Sequence, residues 1–276
     1  KITRKDTKQA IMTAFYNSTA VPKKVFGEGE LLNAFFKTMN DNAPGAWELT
    51  ETMLTLWNPE AYSNDWVMPD NFHVKIKVMN TRTEKVNFLH EPFEVNYAVN
   101  EPMENGRSLG ANCTHSIDGM VVREITRRCD YDPKVIERVL DILDRKPMTH
   151  YREETDNDKM VKILYEHYKD SKFLSARILN YIDENNYDLI NEKAVKELIY
   201  SLPKKPFKVL SIHDCFRVLP NHGNDLRIQY NILLSNIAKS NLLSFIISQI
   251  VGRIVPVNKL DPDLWKDILD SNYSLS

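Results

Sequence analysis

The chain has 276 residues, 42% of them hydrophobic and 27% charged, with a formal net charge of -2. That length allows one or two domains around a substantial core, and the charge balance excludes a uniformly basic coat for nucleic acid. Three cysteines, Cys113, Cys129 and Cys215, are odd in number and lack CxxC spacing, which fits a reducing cytoplasm and opposes a disulfide frame or a structural zinc. Positive charge is nevertheless concentrated at the start: residues 1–24 hold Lys1, Arg4, Lys5, Lys8, Lys23 and Lys24 against the single acid Asp6.

The first nineteen residues contain neither Pro nor Gly and predict one continuous helix. Within it Arg4, Lys8, Met12 and Tyr16 recur every four residues. Each step of four winds about 40° past a full turn, so the four side chains form a stripe roughly 18 Å long. Two cations, a thioether and an aromatic hydroxyl follow one another in the order a nucleoside triphosphate needs, phosphates first and base last. An ordinary solvated helix face has the same spacing. Lys1 is not an initiator Met, and the chain opens inside this helix, so an upstream segment or a separate subunit is expected.

After Val21-Pro22-Lys23-Lys24 and Gly27-Glu28-Gly29, apolar spacing predicts a helix over Leu31–Met39 that stops near Asn40–Gly45, and a third over Trp47–Trp57 ended by Pro59. From Trp66 the period becomes two. Phe72, Val74, Ile76 and Val78 alternate with polar residues, Asn80–Thr83 interrupts, and Val86, Phe88, Phe93, Val95, Tyr97 and Val99 alternate again, which predicts a β-hairpin or small meander with Arg82 and Lys85 near its tip. Residues 130–205 show four stretches of helical spacing, around Ile136–Leu143, Met160–Tyr165, Leu174–Ile182 and Val195–Ile199. Either a solvated decoration or a docking surface for a protein or single-stranded DNA would read this way.

Phe207–Ile212 is an apolar strand, His213-Asp214-Cys215 a polar turn, and Phe216–Leu219 a return strand ended by Pro220. A carboxylate at the turn of a buried hairpin adds little to stability but is well placed to hold a metal. A zinc site from His213, Cys215 and His222 would lack a fourth ligand and any standard spacing. The apolar run Ile228–Val257, interrupted by Asn231, Asn236, Lys239, Asn241 and Arg253, predicts a buried helix and no membrane span.

Thr3-Arg4-x-x-x-Lys8-x-x-x-Met12-Thr13-x-x-Tyr16 resembles the fingers-helix motif (motif B) of the single-subunit, phage-type and mitochondrial DNA-directed RNA polymerases, with Asn17 where that family usually has Gly. Further resemblances follow in order. Trp66-x-x-Pro69-Asp70-x-Phe72 and the strands after it resemble the segment carrying the family's promoter-specificity hairpin. His115-Ser116-Ile117-Asp118-Gly119 is similar to its His-Ser-x-Asp-Gly helix, with Ile117 in place of a frequent Gln, although a lone helical His is also a common satisfied core residue. His213-Asp214-Cys215 resembles the palm motif C, and Leu264–Tyr273 the C-terminal foot.

The resemblance implies an α/β (mixed α+β) right-hand fold: fingers helices with motif B over 1–65, hairpin and His-Ser-x-Asp-Gly helix over 66–129, a helical insertion over 130–205, and a palm hairpin with a small antiparallel sheet, a long helix and the foot over 206–276. It implies DNA-templated transfer of ribonucleoside monophosphates to an RNA 3′ end, helped by two Mg2+ ions. Asp214 would bind metal and act with Lys8 in catalysis. Arg4, Lys8, Met12, Tyr16, His115 and His213 would contact substrate, with Tyr16 and His115 sensing the ribose. Partners would be DNA template, RNA product, nucleoside triphosphates and an upstream segment or second polypeptide carrying motif A, in the cytoplasm of a bacterial host if the source is a phage. A DNA polymerase, or a non-catalytic subunit that kept the motifs, stays open as an alternative.

Overall fold

A computed structural model describes residues 2–149, 152–212 and 215–274. The fold is mixed, dominated by helices with small two-stranded sheets, and the chain divides into two compact units, residues 1–66 with 74–115 and residues 67–73 with 116–276.

In the first unit, α1 (Arg4–Phe15) starts at a capping box: Thr3 Oγ1 accepts from the Asp6 N–H, and the Asp6 carboxylate accepts from the Thr3 N–H. The Thr3 hydroxyl also donates to the Asp6 carboxylate at 2.6 Å, and this bond, with that from the Thr3 N–H, holds the Asp6 carboxyl below its usual range. The helix ends four residues earlier than its composition predicts, because Asn17 takes a left-handed backbone (φ 61°) and the Asn17 and Ser18 N–H groups turn back to the Ala14 and Thr13 carbonyls, 2.9 Å each. Buried Ala10 and Ala14 bring α1 close to α3 (Glu30–Asn42), where Phe35 and Met39 complete a small core packed by Phe15, Phe26, Phe36 and Trp47. Between them lies α2 (Ala20–Phe26), a helix that the sequence reading did not mark. Pro22 is tolerated because it falls in the first turn, where the lost N–H has no intrahelical acceptor. Likewise α4 (Pro44–Thr55) uses Pro44 as its first residue and not as the end of α3.

Strand β1 (Ser63–Val67) pairs with β2 (His73–Lys77), and β3 (Asn80–Phe88) pairs antiparallel with β4 (Glu91–Val99). Asn80–Thr83 belongs to β3 and does not interrupt it. The turn is Leu89-His90, both at positive φ, as a two-residue hairpin connection requires. Helix α5 (Arg107–Cys129) begins in the first unit and continues into the second.

In the second unit, α6 (Pro133–Arg145), α7 (Asp156–Ser171) and α8 (Glu192–Tyr200) close on a core within 130–205, centred on Val139, Leu143, Val161, Leu164, Ile178, Ile182 and Val195. The third predicted helix is only a 3-10 turn, Ala176–Asn180. Its start is fixed by Glu124, whose carboxylate accepts from Ser175 Oγ and the Ala176 N–H. Strands β5 (Leu210–Ile212) and β6 (Cys215–Arg217) form the antiparallel hairpin expected there. The apolar run that follows is two helices, α9 (Gly223–Lys239) and α10 (Leu242–Val251), separated where the Asn241 N–H donates to the Ser171 carbonyl at 2.6 Å. The last helix, α11 (Leu264–Asp270), lies along α9, and Asn231 holds the chain after it by donating to the Ser271 carbonyl and accepting from Ser274. No helix among the described residues is long and apolar enough to cross a membrane.

Candidate nucleotide site

Burying Ala10 and Ala14 turns the opposite side of α1 outward. Arg4, Lys8 and Met12 are exposed, Met12 at 51%, and Tyr16 is half-buried at the helix end. Arg4 and Lys8 make no ion pair with an acid among the described residues. Two cations on one helix face, left without acids among the described residues, attract an anion in proportion to its charge.

Tyr16 does not stand alone. Its ring stacks on the imidazole of His115, with centroids 5.4 Å apart and planes 19° from parallel. His115 is exposed on the first-unit part of α5. The stack therefore brings together, within one unit, two residues that the sequence separates by 99 positions. The helix that presents His115 is anchored just before its start: the Trp57 indole N–H donates to the Met103 carbonyl at 2.7 Å, and a Cβ at Gly106 would lie 2.3 Å from the Trp57 side chain. Only Gly lets the backbone pass there.

The hairpin β5–β6 belongs to the second unit. Ile212 pairs with Cys215, and the two residues joining them, His213 and Asp214, lie outside the described residues. Phe207 anchors the approach, its N–H donating to the Cys129 carbonyl at 2.7 Å and its ring stacking on His222 at 4.6 Å. His222 is thereby engaged in packing. The strands themselves are not buried as expected: Leu210 is 59% exposed, and Ser211, Ile212 and Cys215 are exposed too. Of the hairpin's apolar residues, Leu210 and Ile212 stay exposed, whereas Phe216 is half-buried with its ring 5.8 Å from that of Tyr230. Among the described residues no group of three or more His, Cys, Asp and Glu could hold a metal ion.

Arg82 and Lys85 are not near the tip of β3–β4. Arg82 lies opposite Tyr97 toward the open end and is held by the Glu101 carboxylate; Lys85 lies in mid-strand, 4.0 Å from Glu94. The tip is apolar, with Val86, Phe88, Leu89 and Phe93 exposed. Base edges need free hydrogen-bonding side chains, and both of these cations already face a glutamate.

Sequence reasoning missed a buried ionic cluster in the second unit. Asp70, fully buried, accepts two bonds from Arg123 (2.6 and 3.0 Å) and one from Arg127 (2.8 Å), while Arg127 also donates to Glu124 at 2.7 Å. Burial alone would raise the Asp70 pKa, but the two guanidinium groups outweigh it and hold the carboxyl below its usual value. Arg177 donates to the Asp70 carbonyl at 2.9 Å, and Arg123 lies over the Phe72 ring at 4.2 Å. Asp70 lies in the segment Trp66-x-x-Pro69-Asp70-x-Phe72, and Arg123 and Arg127 are four apart on a helix, a spacing that could have suggested a shared partner. No known protein-family profile and no curated protein matches this chain.

Proposed function

We propose that this chain is the C-terminal fingers and palm part of a DNA-directed RNA polymerase, working with an upstream segment or second polypeptide that supplies motif A. The observation that carries this reading is the exposed stripe of α1, two cations with no acid paired to them among the described residues, leading to a tyrosine whose ring stacks on His115. Arg4 and Lys8 bind the triphosphate, Lys8 facing the phosphates that depart as pyrophosphate, where its positive charge stabilises the charge developing on the leaving group. Met12 borders the nucleotide, and Tyr16 with His115 meets its ribose. His213 contacts the substrate, and Asp214 serves as a metal-binding carboxylate. The described residues offer no metal cluster, so Mg2+ binding in this reading rests on Asp214 together with carboxylates supplied by the partner.

The test is extension of an RNA primer on a DNA template by the purified protein, with any co-purifying polypeptide identified by intact mass. Ribonucleotide incorporation is expected, and Asp214→Asn should abolish it without changing the folded state. Residual activity above about a tenth of wild type is incompatible with loss of a metal ligand, which costs several kcal/mol of transition-state stabilisation. Preference for deoxynucleotides would instead assign the chain to a DNA polymerase.

A further inference from the structure

Asn17 is 9% exposed, and its amide Nδ2 has no hydrogen-bond partner among the described residues. A buried donor without an acceptor costs stability. Glycine would supply the same left-handed backbone with no such cost. The side chain is therefore held for something other than stability, and its surroundings show what. A Cβ placed on Gly110 of α5 would lie 3.1 Å from Asn17 Nδ2 and 3.4 Å from Met53 Cβ. The Asn17 amide thus fills a notch that the missing side chain of Gly110 leaves on α5, with Met53 beside it.

One residue before Asn17 is Tyr16, and five residues after Gly110 is His115. The end of α1 consequently meets α5 at two points, about 7.5 Å apart along the helix: the amide in the notch and the ring on the imidazole. A ring stack alone permits sliding and rotation, because parallel aromatic faces meet at many offsets. A second contact through the adjacent residue removes that freedom. We propose that Asn17 is a positioning residue that fixes the Tyr16 ring on His115 and so sets the preference for ribo- over deoxynucleotides. This rests on the nucleotide reading above.

The experiment uses the full chain and three variants, Asn17→Gly, Gly110→Ala and the double variant. Three quantities are measured: thermal midpoint, the nuclear Overhauser contact between Tyr16 and His115 ring protons, and the ratio of Kd values for ATP and dATP. Asn17→Gly should leave the midpoint unchanged or raised, weaken the ring contact and lower the ATP preference at least about threefold (~0.65 kcal/mol). Gly110→Ala should lower the midpoint and disturb the same contact by pressing on the amide. In the double variant the new methyl occupies the space the amide vacates, so the loss of midpoint seen with Gly110→Ala should be recovered while the ATP preference stays low. An intact ring contact with an unchanged ratio in Asn17→Gly overturns the proposal, as does a ratio that falls only in step with the folded fraction. Should the wild type bind neither nucleotide, the polymerase reading fails, and the ring contact alone still decides whether Asn17 positions Tyr16.

Discussion

Among the cations that stand four residues apart on helices of this chain, Arg4 with Lys8 on α1 and Arg123 with Arg127 on α5 meet opposite fates. The α5 pair closes on the buried Asp70 and on Glu124, so its charge is consumed inside the second unit. The α1 pair has no acid among the described residues and keeps its charge at the surface. The spacing is the same; what differs is whether another segment brings a carboxylate. A cation pair that the fold leaves unanswered has charge to spend on a ligand, and one that the fold answers has become structure.

The largest effect should come from breaking the answered pair. Asp70→Ala leaves two guanidinium groups beside a buried void. Removing one partner of a buried ion pair costs roughly 3–5 kcal/mol, and about 3 is expected here because both arginines keep about a quarter of their side chains exposed. Urea denaturation measures it, and a loss under about 1 kcal/mol would erase the distinction between the two pairs. Lys8→Ala should do the reverse. Alanine is a better helix former at an exposed site, so stability should stay within about 0.5 kcal/mol. Turnover should fall by about tenfold or more, about 1.4 kcal/mol, with template affinity nearly unchanged. Equal losses in both would make Lys8 one of many backbone-contacting cations.

How much of this could be read in the sequence differs between the two pairs. The α1 stripe and the helical spacing of α3, α4 and the 130–205 segment were legible, because side-chain periodicity is local. The end of α1 was not, since Asn17 carries no steric ban on helix and its left-handed backbone is fixed by the bonds of Asn17 and Ser18 to the preceding turn. The break between α9 and α10 depends on Ser171, seventy residues away. The exposure of β5–β6 was hidden for a different reason: apolar alternation says that a strand can be buried, and only tertiary structure says whether it is. The Tyr16–His115 stack was legible as two separate motif residues and not as a contact.

The smallest expected effect sharpens the comparison through pH. His167 on α7 is half-buried, its Nδ1 has no hydrogen-bond partner among the described residues, and burial holds its pKa below the ordinary 6.5 despite a bond with the Pro69 carbonyl. The unfolded chain therefore takes up this proton first as pH falls, so stability should decline below about pH 6.5 and level off once the folded pKa is passed. His167→Gln should flatten that slope in denaturation midpoints. Asp70 behaves differently: its depressed pKa contributes stability that is present above 3.8 and lost only below it. A stability profile with no decline between pH 6.5 and 5 in the wild type would contradict the assignment to His167.

The three cysteines are chemically unequal. Burial pushes the Cys113 and Cys129 thiols up to about 12 and seals them from reagents, whereas Cys215 is exposed at the first position of β6. Alkylation depends on thiolate and access together. A maleimide dye added to the native protein at neutral pH therefore marks one atom of three and gives a fluorescent reporter on the first residue of β6 without any mutation.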